Sequence, residues 1–80
     1  MSEPRPIYEI AGDVKDNWSN VSPYAEPYLK AMLTLNSITN YYGQDSAKSI
    51  ISYFLANAQG WRGPHARRIK AELKELIKNG

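Results

Sequence analysis

The chain has no cysteine, one histidine, one phenylalanine and no long apolar run. The lack of cysteine removes disulfides, thiolate nucleophiles and Cys-ligated zinc together, so stability has to come from side-chain packing, as suits a reducing cytosol. His65 has no carboxylate nearby in sequence beyond Glu72, and no serine sits in a nucleophile elbow. Catalysis has little to work with, and an enzyme is not expected. The densest apolar stretch, Ile50 to Ala58, is broken by Ser52 and Asn57, far short of the roughly 18 residues a membrane span needs. Met1 to Pro6 carries Glu3 and Arg5 with no apolar segment behind it, so no signal peptide is expected. Glu9, Asp13 and Asp16 share a helical face. A metal site there would need further converging oxygens, so a solvated acidic face is expected, with no metal and no cofactor.

What is present is an ordinary globular composition: 80 residues, 42% hydrophobic and 22% charged, with a net charge of +2. One core is expected, with residues 1–5 as a tail and 6–80 as a single helical domain. Charge is polarised along the chain. Residues 1–47 carry Arg5, Lys15 and Lys30 against Glu3, Glu9, Asp13, Asp16, Glu26 and Asp45, whereas residues 48–80 carry seven basic groups against Glu72 and Glu75. Such asymmetry orients an encounter with a charged partner. A dedicated nucleic-acid binder is usually more basic overall.

Hydrophobic periodicity predicts four helices. Pro6 opens the first, where Ile7, Ile10, Ala11, Val14 and Trp18 recur at three- and four-residue intervals. Gly12 inside it costs about 1 kcal/mol relative to alanine, so either the helix is short or a neighbouring backbone approaches there. Asn17 to Val21 reads as a turn. Ser22 and Pro23 suit the entry to a second helix whose regular part begins at Glu26 or Pro27. This helix presents Tyr28, Leu29, Met32, Leu33 and Leu35. Asn36 to Gly43 is a polar connection in which Ile38 reaches the core, and Tyr41 with Tyr42 forms a last helical turn before Gly43. A third, central helix starts at Gln44 or Asp45 and buries Ala47, Ile50, Ile51, Phe54, Leu55 and Ala58; Gly60 stops it. The fourth runs from Pro64 to about Lys78. The resulting expectation is an all-α, compact four-helix bundle with three long helices and one shorter. A helix-turn-helix is a weaker match, because His65, Arg67 and Arg68 open the last helix with no Asn or Gln to read adenine.

The last helix is the most informative element. At about 100° per residue, Ala66, Ile69, Leu73, Leu76 and Ile77 form an apolar arc and Arg67, Lys70, Lys74 and Lys78 line a flank beside it. Lysines at i, i+4 and i+8 repel one another by a few tenths of a kcal/mol per pair. The flank is either a contact surface for phosphate or acidic protein, or a solvated face favoured by the helix dipole. Trp61, Arg62, His65, Arg67 and Arg68 cluster just before and within its first turn. They suit an anion site with Trp61 stacking a base, or else Trp61 seals the core while Arg68 pairs with Glu72. Six tyrosines are too many for so small a core, and tyrosine is a common interface anchor; Tyr41 and Tyr42 are expected to be exposed.

Several segments, among them Tyr24-Ala25-Glu26-Pro27-Tyr28-Leu29-Lys30-Ala31-Met32, Tyr42-Gly43-Gln44-Asp45-Ser46-Ala47, Tyr53-Phe54-Leu55-Ala56-Asn57-Ala58, Trp61-Arg62-Gly63 and Ile69-Lys70-Ala71-Glu72-Leu73-Lys74, resemble small phage and mobile-element proteins of bacteria that have no assigned activity. The resemblance implies an accessory protein that binds and modulates a host protein; a cytoplasmic chain, monomeric or a small homo-oligomer, is expected. One target class is a bacterial defence effector, in the manner of an anti-CRISPR protein. The alternative expectation is a small nucleic-acid-binding protein that uses the basic last helix. Neither reading involves a membrane partner.

Overall fold

The computed structural model describes residues 5–79. It contains α1 (Ile7–Asn17), α2 (Glu26–Met32), a hairpin of β1 (Tyr41–Tyr42) and β2 (Asp45–Ser46), α3 (Ala47–Ala56) and α4 (Pro64–Asn79). The protein is therefore mainly helical, with four helices and a small antiparallel hairpin in place of an all-α chain. Its Cα radius of gyration of 11.4 Å is that of a close-packed chain of this length, for which about 11.6 Å is expected.

The start of α1 is fixed from outside. The amides of Ile7 and Tyr8 lie before any intrahelical carbonyl can reach them, and they donate to Asn36 O at 2.8 Å and Leu35 O at 2.9 Å. Two orphan donors are thus satisfied by the segment leaving α2, which ties the first helix to the second connection. Pro6 stands one residue outside the helix as its N-cap, at φ −57°, and its carbonyl accepts from Glu9 and Ile10.

The entry to α2 follows the sequence. Ser22 Oγ accepts from Tyr24 N at 3.2 Å, and Ser22 O accepts from the amides of Ala25 and Glu26. Pro27, the second helical residue, falls where its missing N–H costs nothing.

The connection between α2 and α3 differs from expectation. Tyr41 pairs with Ser46 and Tyr42 with Asp45, so Tyr41 and Tyr42 form a strand and not a last helical turn. Gly43 lies at φ +63°, in the first central position of a two-residue hairpin turn where glycine is favoured. The chain reverses there, and α3 starts at Ala47, later than Gln44 or Asp45. Ser46 is its N-cap, with Oγ accepting from Ser49 N at 3.1 Å. Asn40 organises the loop ahead of the hairpin: Oδ1 accepts from Asn36 N and Ser37 N, both at 3.0 Å, and its carbonyl accepts from Ala47 N.

Phe54 is fully buried among Ile7, Ile10, Val14, Met32, Leu35, Ile51, Ile69 and Leu73. No polar or charged residue is buried among the described residues. α3 packs against α2, α4 and the hairpin, and α1 packs against α2 and α4, so the main helix contacts run around a ring in which each helix meets two others. Ile38 reaches the core edge as expected.

Both explanations offered for Gly12 fail. α1 is 11 residues long, and a Cβ built at Gly12 meets nothing within 4 Å. Gly12→Ala should therefore stabilise the protein by about 0.5–1 kcal/mol, read as a raised urea midpoint with an unchanged m-value.

Candidate functional site

The site is organised by the connection from α3 to α4. After Ala56 the chain turns, with Asn57 Nδ2 donating to Tyr53 O at 2.8 Å and Trp61 N donating to Ala58 O at 3.0 Å. Trp61 is 4% exposed. Its ring stacks on Trp18 with centroids 5.2 Å apart and an interplanar angle of 8°, and Trp18 meets Phe54 edge-on at 6.2 Å. Trp61 Nε1 donates to Asn17 O at 3.4 Å. Trp61 thus closes the core, and it does not offer a face on which a base could stack.

Gly63, at φ +111°, takes a conformation that side chains rarely adopt and admits the chain to α4. Its carbonyl accepts from Arg67 N at 2.9 Å. With Ala66, Ile69 and Leu73 buried, the two sides of α4 face different surroundings.

One flank is neutralised. Arg5 grips Glu72 with two hydrogen bonds, from Nε at 2.9 Å and Nη2 at 2.7 Å, and its Nη2 also lies 2.9 Å from Asp13 Oδ2. Arg68 reaches the same Asp13 oxygen at 3.5 Å. The pairing of Arg68 with Glu72 expected from their i, i+4 spacing is therefore replaced, because the two-pronged fork of Arg5 occupies Glu72 and α1 brings Asp13 within reach of Arg68. His65 belongs to this side, with Nδ1 3.5 Å from Arg68 Nη2. Asp13, on the acidic face of α1, is thereby committed to an ion-pair network joining α1, α4 and Arg5.

The other flank is not neutralised. Arg62, Arg67, Lys70, Lys74 and Lys78 make no ion pair among the described residues. Lys70 Nζ donates to Trp61 O at 2.7 Å and stands 5.9 Å from the centre of the Trp61 ring. Burial lowers the Lys70 pKa below its ordinary 10.5, and the charges of Lys74 and Arg62 lower it further. Arg62, Arg67, Lys74 and Lys78 are exposed. Trp61, Arg62, Gly63, Ala66, Arg67 and Lys70 line an open cleft of about 240 Å³.

Tyr41 and Tyr42 are exposed as expected, but on a hairpin packed against α3, so the fold carries them on a different element from the basic flank. Tyr24, at 75%, is more exposed than Tyr41 at 67%. Its place beside Ser22 and Pro23 signals only a helix entry and gives no sign of that exposure. Tyr53 stacks on Tyr28 with centroids 5.5 Å apart, across the contact of α2 and α3.

Compared with known proteins, the chain matches no family model, no curated protein and no solved structure. Among the described residues no helix is long and apolar enough to cross a membrane.

The acid network yields a pH signature. The hydrogen bond from Arg5, aided by the charges of Arg5 and Arg68, holds the Asp13 carboxyl below its ordinary 3.8. A carboxylate depressed in the folded state contributes stability above its unfolded pKa and loses it as pH falls toward the folded value. Urea unfolding should show wild type more stable than Asp13→Asn at neutral pH, with the difference narrowing below about pH 4.

Proposed function

We propose that this protein is a non-enzymatic accessory module of phage or mobile-element origin, built on a small four-helix bundle, that binds and modulates a host protein in the bacterial cytoplasm. The target class is a bacterial defence effector, inhibited stoichiometrically in the manner of an anti-CRISPR protein. The observation that carries the binding surface is the contrast between the flanks of α4. Arg5 and Arg68 are both paired with acids on one side, while Arg62, Arg67, Lys70, Lys74 and Lys78 on the other make no ion pair among the described residues. Like charges one turn apart weaken a helix, and an acidic surface on another molecule would remove that penalty. Exposed Tyr24, Tyr41 and Tyr42 supply the amphipathic side chains that protein interfaces favour. The phage or mobile-element origin and the defence target rest on the resemblance alone.

The alternative is nucleic acid. A row of cations along a 16-residue helix, with no ion pair among the described residues, suits a phosphate backbone. Against it stands the burial of Trp61, which withdraws the aromatic platform that single-strand binders use.

Lys74→Glu with Lys78→Glu tests the surface with little risk to the fold, since both side chains are exposed and neither is bonded to the core. Stability should stay within about 0.5 kcal/mol of wild type, while inhibition of defence effectors in a bacterial immunity assay should be lost. Full inhibition by the double variant would rule out the flank as the contact surface. Fluorescence anisotropy with labelled DNA and RNA separates the alternative: affinity that persists at physiological salt with a steep salt slope would place nucleic acid first.

A further inference from the structure

The basic flank is not uniform along its length. Lys74 and Lys78 are exposed farther along α4, whereas Arg62, Arg67 and Lys70 line the cleft between the α3–α4 connection and the first turns of α4. The floor of that cleft is Trp61 and Ala66, both buried. Among the described residues no carboxylate lines it. Lys70 is pinned by its bond to Trp61 O, which uses one of three ammonium protons and leaves two to donate. Arg62 and Arg67 each carry a planar fork of donors. Gly63, at positive φ, follows Arg62 and lines the cleft with Arg62, Arg67 and Lys70.

From this arrangement we infer that the Arg62–Arg67–Lys70 cleft binds a phosphomonoester dianion, presented by a phosphorylated side chain of the protein partner. The inference rests on the protein-binding reading above and names its anchor. Three cations in one cleft outnumber the single charge of a carboxylate. A phosphomonoester brings a charge of about −1.5 to −2 at neutral pH and three acceptor oxygens, to which Arg forks and an ammonium are suited. An incoming dianion also relieves the mutual repulsion that, together with burial, depresses Lys70. A nucleotide fits less well, because the Trp61 ring is engaged with Trp18 and only 4% of the residue is exposed. The cleft can grip a charged group and has no open ring for a base.

Backbone and indole N–H shifts of the intact chain, followed by NMR at constant ionic strength, test the assignment. Inorganic phosphate should produce saturable shifts at Gly63, Arg67 and Lys70, and acetate should not. A phosphoserine peptide should bind at least about tenfold more tightly than the same peptide with glutamate in that place. Arg67→Gln, and independently Arg62→Gln, should weaken phosphoserine binding about tenfold, while Lys48→Gln, an exposed position on α3 that does not line the cleft, should leave it intact. Both arginines are exposed, so these variants should fold. Equal responses to acetate and phosphate, or shifts centred on Lys74 and Lys78, would overturn the inference. So would a 5′-phosphorylated oligonucleotide that binds as tightly as the phosphopeptide, which would instead point to nucleic acid. If phosphate fails while Lys74→Glu with Lys78→Glu still abolishes inhibition, the binding surface stands and this anchor alone is removed.

Discussion

The stack of Trp61 on Trp18 is the contact on which the placement of the functional surface depends. It joins the C-terminal end of α1 to the connection between α3 and α4, and it abuts Phe54 through Trp18. Offset or parallel aromatic pairs contribute about 0.5–1.5 kcal/mol beyond the area they bury. The geometric consequence matters more here than the energy. Once Trp61 is seated, its carbonyl accepts from Lys70, and Arg62 with Gly63 forms a short route into α4.

That route gives α4 two sides with separate tasks. The side facing α1 is tied by Arg5, Asp13, Arg68 and Glu72. These groups are partly exposed, so each pair contributes modestly, but a two-pronged Arg–carboxylate contact has more geometric definition than a single surface pair. The positive charge of the opposite side enters no ion pair among the described residues. A helix whose buried stripe is Ala66, Ile69 and Leu73 can present both, since the two flanks lie on either side of that stripe.

Much of this was legible in the sequence. The apolar spacing gave the four helices and nearly all of the core, because burial of one helical face imposes the three- and four-residue pattern directly. Local capping chemistry at Ser22 and the breaker Pro27 located the start of α2. The hairpin was missed because Tyr41 and Tyr42 are a strand of two residues, too short for an alternating pattern to show, and because Gly43 is equally compatible with a helix end and a hairpin turn. The flank of Lys70, Lys74 and Lys78 was visible from spacing alone. The partners of Glu72 and Arg68 were not, since Arg5 lies 67 residues from Glu72 and only the packing of α1 on α4 brings Asp13 to Arg68. Burial of Trp61 was one of two open readings, and its decisive contact, Trp18, comes from the far end of another helix.

A double-mutant cycle at Trp18 and Trp61 tests the central claim most directly, using Trp18→Leu, Trp61→Leu and the double variant in urea unfolding at equilibrium. A favourable coupling of about 0.5–1.5 kcal/mol is expected if the stack fixes the connection between α3 and α4. Additive losses with no coupling would contradict it, and would mean that the cleft and the basic flank owe their placement to something other than this pair.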